Sequence, residues 1–295
     1  MKVLFVSDFS LDHNRGGAQR SNYLIINEGI NRNHQIVSFH IDSNPEVLNQ
    51  QYDVVISSNL EVLSRQPIAA SLLNRIVTSD KHVRLEHDAN RYLSTENRKI
   101  LFGSCVKTFF LTQFHYDKFI EMYGDIFINV EIIPDPIDTD MFYDKKEDRI
   151  DKILYVGFMH YLKGTENFFE YVLNNPDQQF VMVAWGDSKY QHIARSISNI
   201  EWIDAVDYTE MPLLYNKYKA MYYHPVGFEP FCRSIGEALL CGMSINSNDL
   251  VGSLHYYHEI GKEKFKTQCG QAAQVFWKAI DEVCNRNPER ISSSQ

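Results

Sequence analysis

Short apolar runs alternate with stretches of helical period along the whole chain. In the first half, residues 3–7, 35–40, 53–57, 83–87, 107–112 and 130–133 read as strands, with helical stretches at 18–30, 67–77 and 113–122. Strand and helix taking turns in this way predicts a parallel sheet with helices on both faces. A charged stretch at 144–151 reads as a solvated linker. The pattern then restarts with a strand at 152–157 that ends on a glycine. Lys163-Gly164 opens a helix whose Phe168, Phe169 and Val172 form an apolar face. A buried strand at 180–186, an apolar run at 200–203 and a helix at 209–217 come next.

The chain is organised around Phe228-Glu229-Pro230-Phe231-Cys232-Arg233-Ser234-Ile235-Gly236-Glu237-Ala238-Leu239-Leu240-Cys241-Gly242. A strand at 220–225 precedes it and another at 244–247 comes after it. Helical spacing from Arg233 puts Ile235, Leu239 and Leu240 on a buried side, and Gly242 is a stop signal, so the helix begins near 232–234. Glu229 then lies in a loop at a strand's carboxyl end and Glu237 about one turn into the helix. Both are placed to face the crevice outside a parallel sheet. A helix N-terminus there offers backbone N–H groups and a positive dipole end to an anion such as a diphosphate. Near the end, Ala272, Val275, Phe276, Ala279, Ile280 and Val283 fall along one face of a helix at 271–283, and the tail 291–295 is expected to be disordered.

A chain of 295 residues has room for two domains of about 100 to 150 residues each. No run approaches the roughly 18 apolar residues of a membrane span, and the start is too brief and wrongly flanked for a signal peptide, so a soluble, cytoplasmic protein is expected. Five cysteines, at 105, 232, 241, 269 and 284, show no zinc-type spacing and read as reduced thiols. The net charge of −9 argues against a basic nucleic-acid surface over the whole molecule, and most of the excess falls after residue 134.

Gly16 and Gly17 stand before the first helix, where backbone amides can approach a ligand, but no Gly-x-Gly-x2-Gly supports a nicotinamide dehydrogenase. His87 ends a strand, where an imidazole serves structure or proton transfer. Arg84, Arg91, Arg98 and Lys99 form the most basic local region, a solvated face or a site for an anionic acceptor. Lys163, at a helix start, is placed to pair with phosphate oxygens.

The central stretch resembles the Glu-x7-Glu signature of retaining glycosyltransferases, particularly the large family numbered four. Pro225, Glu229, Phe231, Glu237, Ala238 and Gly242 stand in register, and Cys232 replaces the usual glycine after the phenylalanine. The resemblance implies an α/β protein of GT-B architecture, two facing Rossmann-like domains with a cleft between them. Residues 1–140, joined by a C-terminal helix at about 270–290, would form the acceptor side, and 141–269 the nucleotide-sugar domain. Gly16-Gly17 match a glycine pair over the cleft, and His87 with Asp88 resembles a strand-end histidine near the donor sugar. Lys163-Gly164 match a Lys-Gly pair that holds the diphosphate, but Phe158 stands where the family carries an arginine. Asp138-Thr139-Asp140 match its metal-free interdomain segment. Of a later Gly-Gly, only Gly252 remains.

The activity this resemblance implies is retaining, metal-independent transfer of a sugar from a nucleoside-diphosphate sugar, a co-substrate rather than a bound cofactor, to a saccharide or lipid hydroxyl. Glu229 would touch the donor sugar, Glu237 the ribose hydroxyls, and Lys163 with the amides near Ser234 and Ile235 the leaving diphosphate. Two alternatives stand beside it: a hydroxylated base in DNA as acceptor, and a non-catalytic sugar-nucleotide-binding protein. A basic residue in the first turn of a helix opposes the dipole, so Arg233 is either an exposed side chain or a substitute for the missing arginine at the diphosphate.

Overall fold

A computed structural model describes residues 1–13, 16–89 and 94–285; Asn14, Arg15, Arg91 and the tail 291–295 lie outside them. The chain divides into two compact units, residues 1–136 with the segment from 271 onward, and residues 137–270.

The first unit is built on six parallel strands, β1 (Lys2–Val6), β2 (Gln35–Phe39), β3 (Val54–Ser57), β4 (His82–Leu85), β5 (Cys105–Phe110) and β6 (Val130–Ile132), in the order β2-β1-β3-β4-β5-β6. Helices α1 (Gly17–Asn31), α2 (Ala69–Val77), α3 (Thr95–Gly103) and α4 (Gln113–Tyr123) connect them. Side chains alternate along a strand, so Leu4, Val6 and Val55 join Leu72, Ile76 and Leu101 of α2 and α3 in one core. In β5, Phe110 meets Phe102 and Phe119 edge-on or stacked, while its neighbour Phe109 turns the other way to Phe276.

The second unit holds five parallel strands, β7 (Ile150–Met159), β8 (Phe180–Gly186), β9 (Ile200–Ile203), β10 (Tyr218–Tyr223) and β11 (Ser244–Ser247), in the order β11-β10-β7-β8-β9. Its helices are α5 (Thr165–Leu173), α6 (Ser188–Ser196), α7 (Met211–Lys217), α8 (Arg233–Leu240) and α9 (Gly252–Ile260). Tyr155, Phe168, Phe169, Val172, Phe180 and Met182 are packed into one core. Arg149, directly ahead of β7, donates to the carbonyls of Tyr215 and Tyr218 at 2.6 and 3.1 Å and to Asp144 at 3.3 Å.

The last helix, α10 (Lys262–Asn285), is longer than its apolar pattern announces, and the division between the units falls inside it. Its early Phe265 stacks on Phe231, and its later Phe276 and Trp277 are buried in the first unit. Val275, expected on the buried face, is 41% exposed, and Trp277 is buried instead. The Trp277 indole donates to the Ile25 carbonyl at 2.6 Å, and its ring lies so close to Gly29 that a Cβ there would sit 2.3 Å away.

Candidate active site

The strand order of the second unit fixes where its loops gather. From β7 the chain builds outward through β8 and β9, then returns to lay β10 and β11 on the other side. The loops after β7 and β10 therefore leave neighbouring strands at the point where the order reverses, the usual ligand crevice of an open α/β sheet.

Those two loops are locked together. The His160 ring accepts from the Leu162 amide at 3.2 Å and caps a 3-10 turn at Tyr161–Lys163. Gly164 has φ +73°, and a Cβ on it would fall 1.9 Å from the His224 carbonyl oxygen, so only glycine fits. Asn167 donates to that same carbonyl at 2.9 Å, and the Val226 amide donates to Leu162 O at 3.0 Å. The result is an ion pair across the loops: Lys163 Nζ lies 2.7 and 2.8 Å from the two oxygens of Glu229. The lysine side chain is 40% exposed and the glutamate 13%. The Glu229 backbone is pinned on both sides, its amide donating to Leu250 O at 2.7 Å and its carbonyl accepting from Gly252 N at 2.9 Å.

Cys232 caps the start of α8 at φ +66°, in the left-handed region. This explains the glycine of the resembling motif: an L side chain there costs about 1–2 kcal/mol. Burial pushes the Cys232 thiol up to about 11, so it stays protonated. Downstream, Gly236 is hemmed in, with a Cβ there 2.9 Å from the Phe231 ring and 3.0 Å from Ile137. The side chain of Ile235 is buried, and its amide donates to Cys232 O at 3.1 Å. Ser234, half-buried in the first helical turn, lies 3.5 Å from the Cys232 sulfur.

Glu237 does stand one turn into α8, and it is nearly enclosed. Arg233, four residues before it, donates from Nε to Glu237 Oε1 at 2.8 Å; the two side chains are 6% and 5% exposed. Tyr208, from a 3-10 turn ahead of α7, donates its hydroxyl to that same Oε1 at 2.8 Å and accepts from Arg233 Nη2 at 3.0 Å. Burial, then the Glu237 charge, raise the Tyr208 phenol, so it keeps its proton as a donor. Sequence reasoning missed Tyr208 because nothing local marks a tyrosine in a short turn as the partner of a glutamate far along the chain.

The first unit's candidates stand on its own sheet. Gly16 precedes α1 at φ −70°, a conformation open to any residue, and its carbonyl accepts from Arg20 N at 3.1 Å; Gly17 is the first helical residue. His87 comes after β4 and is buried, with Nδ1 3.4 Å from Asp135 Oδ1. Beside it runs a dense polar row. Arg84, fully buried, donates to Glu86 Oε2 from Nε at 3.0 Å and from Nη2 at 2.7 Å, and its Nη1 donates to the Ser58 carbonyl. Of the basic region, then, Arg84 is an interior ion pair rather than a solvated face. Burial, reinforced by Glu86, raises the Asp88 carboxyl well above the carboxylate range. His115 accepts from Leu111 N at Nδ1 and contacts Asp88 O from Nε2 at 3.2 Å, so the proton sits on Nε2; burial takes its pKa down to about 3. His82, between the hydroxyls of Ser57 and Ser104 at 2.7 Å each, is likewise lowered to about 3 by burial.

Asp138 is a turn former: its Oδ1 accepts from the amides of Asp140 and Met141 at 3.0 and 3.1 Å. At the position of the absent arginine, Phe158 is 45% exposed beside Trp185 at 47%, ring centres 6.4 Å apart.

No protein-family model and no curated protein matches the sequence. Solved structures do match in fold. A glycosyltransferase from Rickettsia africae aligns with TM-score 0.65 and 14% identity, over 97% of this chain and 99% of that one. AviGT4, a glycosyltransferase involved in avilamycin A biosynthesis, aligns with TM-score 0.62 and 14% identity over 97% of each chain. HepE from Anabaena, in complex with UDP and glucose, aligns with TM-score 0.61 and 13% identity over the full length of both. The two parallel sheets have the GT-B fold, with two Rossmann-like domains.

Proposed function

We propose that the protein is a glycosyltransferase that moves a sugar from a nucleoside-diphosphate sugar to an acceptor hydroxyl, with retention at the anomeric carbon and without a metal. The observation that carries the reading is the meeting of Lys163 and Glu229 at the switch point of the second sheet, beside the N-terminus of α8. HepE, of the same fold, has been crystallised with UDP-glucose as well.

In this reading the second unit binds the donor. The diphosphate lies at the start of α8, where the first amides of a helix lack intrahelical acceptors and the dipole favours an anion. Lys163 shares its ammonium between that diphosphate and Glu229. When the bond from the anomeric carbon to the diphosphate breaks, the electron pair leaves with the phosphate, and a fixed ammonium and amides stabilise the charge that develops. Glu229 touches the donor sugar and Glu237 the ribose hydroxyls. By the resemblance of the sequence alone, Gly16 and Gly17 are assigned to the donor and His87 to the reacting sugar. A saccharide or lipid hydroxyl is the acceptor.

The test is a thermal-shift panel of nucleotide sugars, and then release of nucleoside diphosphate with and without saccharide and lipid acceptors. A donor that binds only the folded state raises its melting temperature. Stabilisation with acceptor-dependent release is expected. Stabilisation without release identifies a binding protein, and neither effect with any donor removes the reading.

A further inference from the structure

The geometry points to Tyr208 and Arg233 as positioning residues that fix Glu237 for recognition of a ribose diol, an assignment that rests on the donor site proposed above. Arg233 Nε and the Tyr208 hydroxyl both donate to Glu237 Oε1, and Arg233 Nη2 donates to the Tyr208 oxygen. Each member bonds the other two, so the ring of hydrogen bonds is closed. A carboxylate held at Oε1 by two donors has its rotamer set, and its charge lies one turn from the helix start, where it offsets the basic Arg233 that the dipole disfavours.

The residue types are specific to the task. A hydroxyl accepts from the guanidinium and donates to the carboxylate at once, a rigid ring fixes where it stands, and phenylalanine at 208 would lose both bonds. A lysine at 233 lacks the fork that reaches two acceptors from fixed positions. The phenol comes from a different element than the other two, the 3-10 turn at Tyr208–Glu210, which Asp207 caps by accepting from Thr209 N at 3.0 Å. The orientation of Glu237 is thereby tied to that turn as well as to its own helix. Phe142 packs against the Tyr208 ring, centres 5.3 Å apart, and holds it from behind.

A merely structural ring would affect folding and nothing else; a positioning ring affects how well the site tells a ribose from a sugar without hydroxyls. Full-length Tyr208→Phe, Arg233→Lys and Glu237→Ala are compared with the parent by calorimetry. The ligands are the nucleoside diphosphate chosen by the thermal-shift panel, its 2′,3′-dideoxy analogue and inorganic pyrophosphate. The parent is expected to prefer the ribonucleotide by about tenfold to hundredfold, the worth of one hydrogen bond to a charged group. Tyr208→Phe and Arg233→Lys should bring that ratio most of the way to the Glu237→Ala value, with pyrophosphate affinity unchanged. If either folded variant keeps the parent's ratio, the positioning role is wrong. A parent that binds the ribo and dideoxy forms equally removes Glu237 from the diol and overturns the inference alone. A parent that binds no nucleoside diphosphate overturns the transferase reading itself.

Discussion

The two sheets end in opposite ways. At the carboxyl end of the first, charge is interior and fully committed: Arg84 grips Glu86 through two nitrogens with both side chains out of solvent, and His115 is held neutral among backbone groups. At the carboxyl end of the second, Lys163 reaches Glu229 from a side chain 40% exposed, and Phe158 and Trp185 lie open at the ends of β7 and β8. A buried pair is costly to break, because removing one partner strands the other. A half-exposed pair is worth little to stability and exchanges easily. The first edge is thus built to hold its shape, the second to trade partners with a ligand.

The comparison can be broken most strongly at Arg84. Arg84→Met should destabilise the protein by about 3–5 kcal/mol, since Glu86 would be left charged and buried. Urea unfolding measures this, and a loss under about 1 kcal/mol would mean that the interior pair is not the anchor described. Acid attacks the same sheet, at both of its ends: His82 opens β4, and His115 comes after β5. His82 and His115 lie near 3 in the fold against 6.5 unfolded, so below the unfolded value the denatured chain binds more protons. Their contribution is complete above about 6.5 and is lost as pH falls toward about 3. The histidine contribution to the unfolding free energy should drop across that window, opposed by Asp88, whose raised carboxyl takes up protons in the fold as pH falls, and His115→Gln should make the net slope less steep or reverse it; an unchanged slope refutes the assignment.

On the second edge the effects move from stability to binding. Lys163→Ala should change unfolding free energy by less than about 1 kcal/mol, yet weaken nucleoside-diphosphate affinity by about 1.5–3 kcal/mol. Paired denaturation and calorimetry separate the two, and the reverse pattern would make Lys163 structural. The smallest effect is expected at Cys232. Cys232→Gly relieves the left-handed strain but frees the unfolded chain, for a net gain of about 0–1 kcal/mol in the unfolding midpoint experiment. A clear loss would show that the thiol's packing outweighs its backbone strain.

Much of the fold was legible in the sequence. Apolar runs marked the strands, and the start of α8, with Glu229 before it and Glu237 one turn inside, came from helical spacing and Gly242. Three helices escaped. In α3 the buried positions come late, at Arg98, Leu101 and Phe102, after a polar first turn. In α6 only Tyr190 and Ala194 are buried, too few to imprint a period. In α9, Gly252 at the start reads as a loop remnant, although its amide and that of Ser253 serve to hold Glu229 and Phe231 in place. The surroundings of the site were hidden for a different reason. The Tyr208 contact joins positions 29 apart and the Lys163 contact positions 66 apart, and neither leaves a periodic trace.

The split path of α10 bears on how the protein is made. The second unit is one uninterrupted stretch, 137–270, and has its whole sequence as soon as that stretch leaves the ribosome. The first unit does not. Its slot beside Gly29 waits for Trp277, which bonds Ile25 across 252 positions, and its Phe109 waits for Phe276. Contacts of such span form late, and apolar surface left open meanwhile invites aggregation. The half that is translated earlier is therefore the last to be finished, and chains stopped at residue 270 should present a first half that proteases cut while the later half resists.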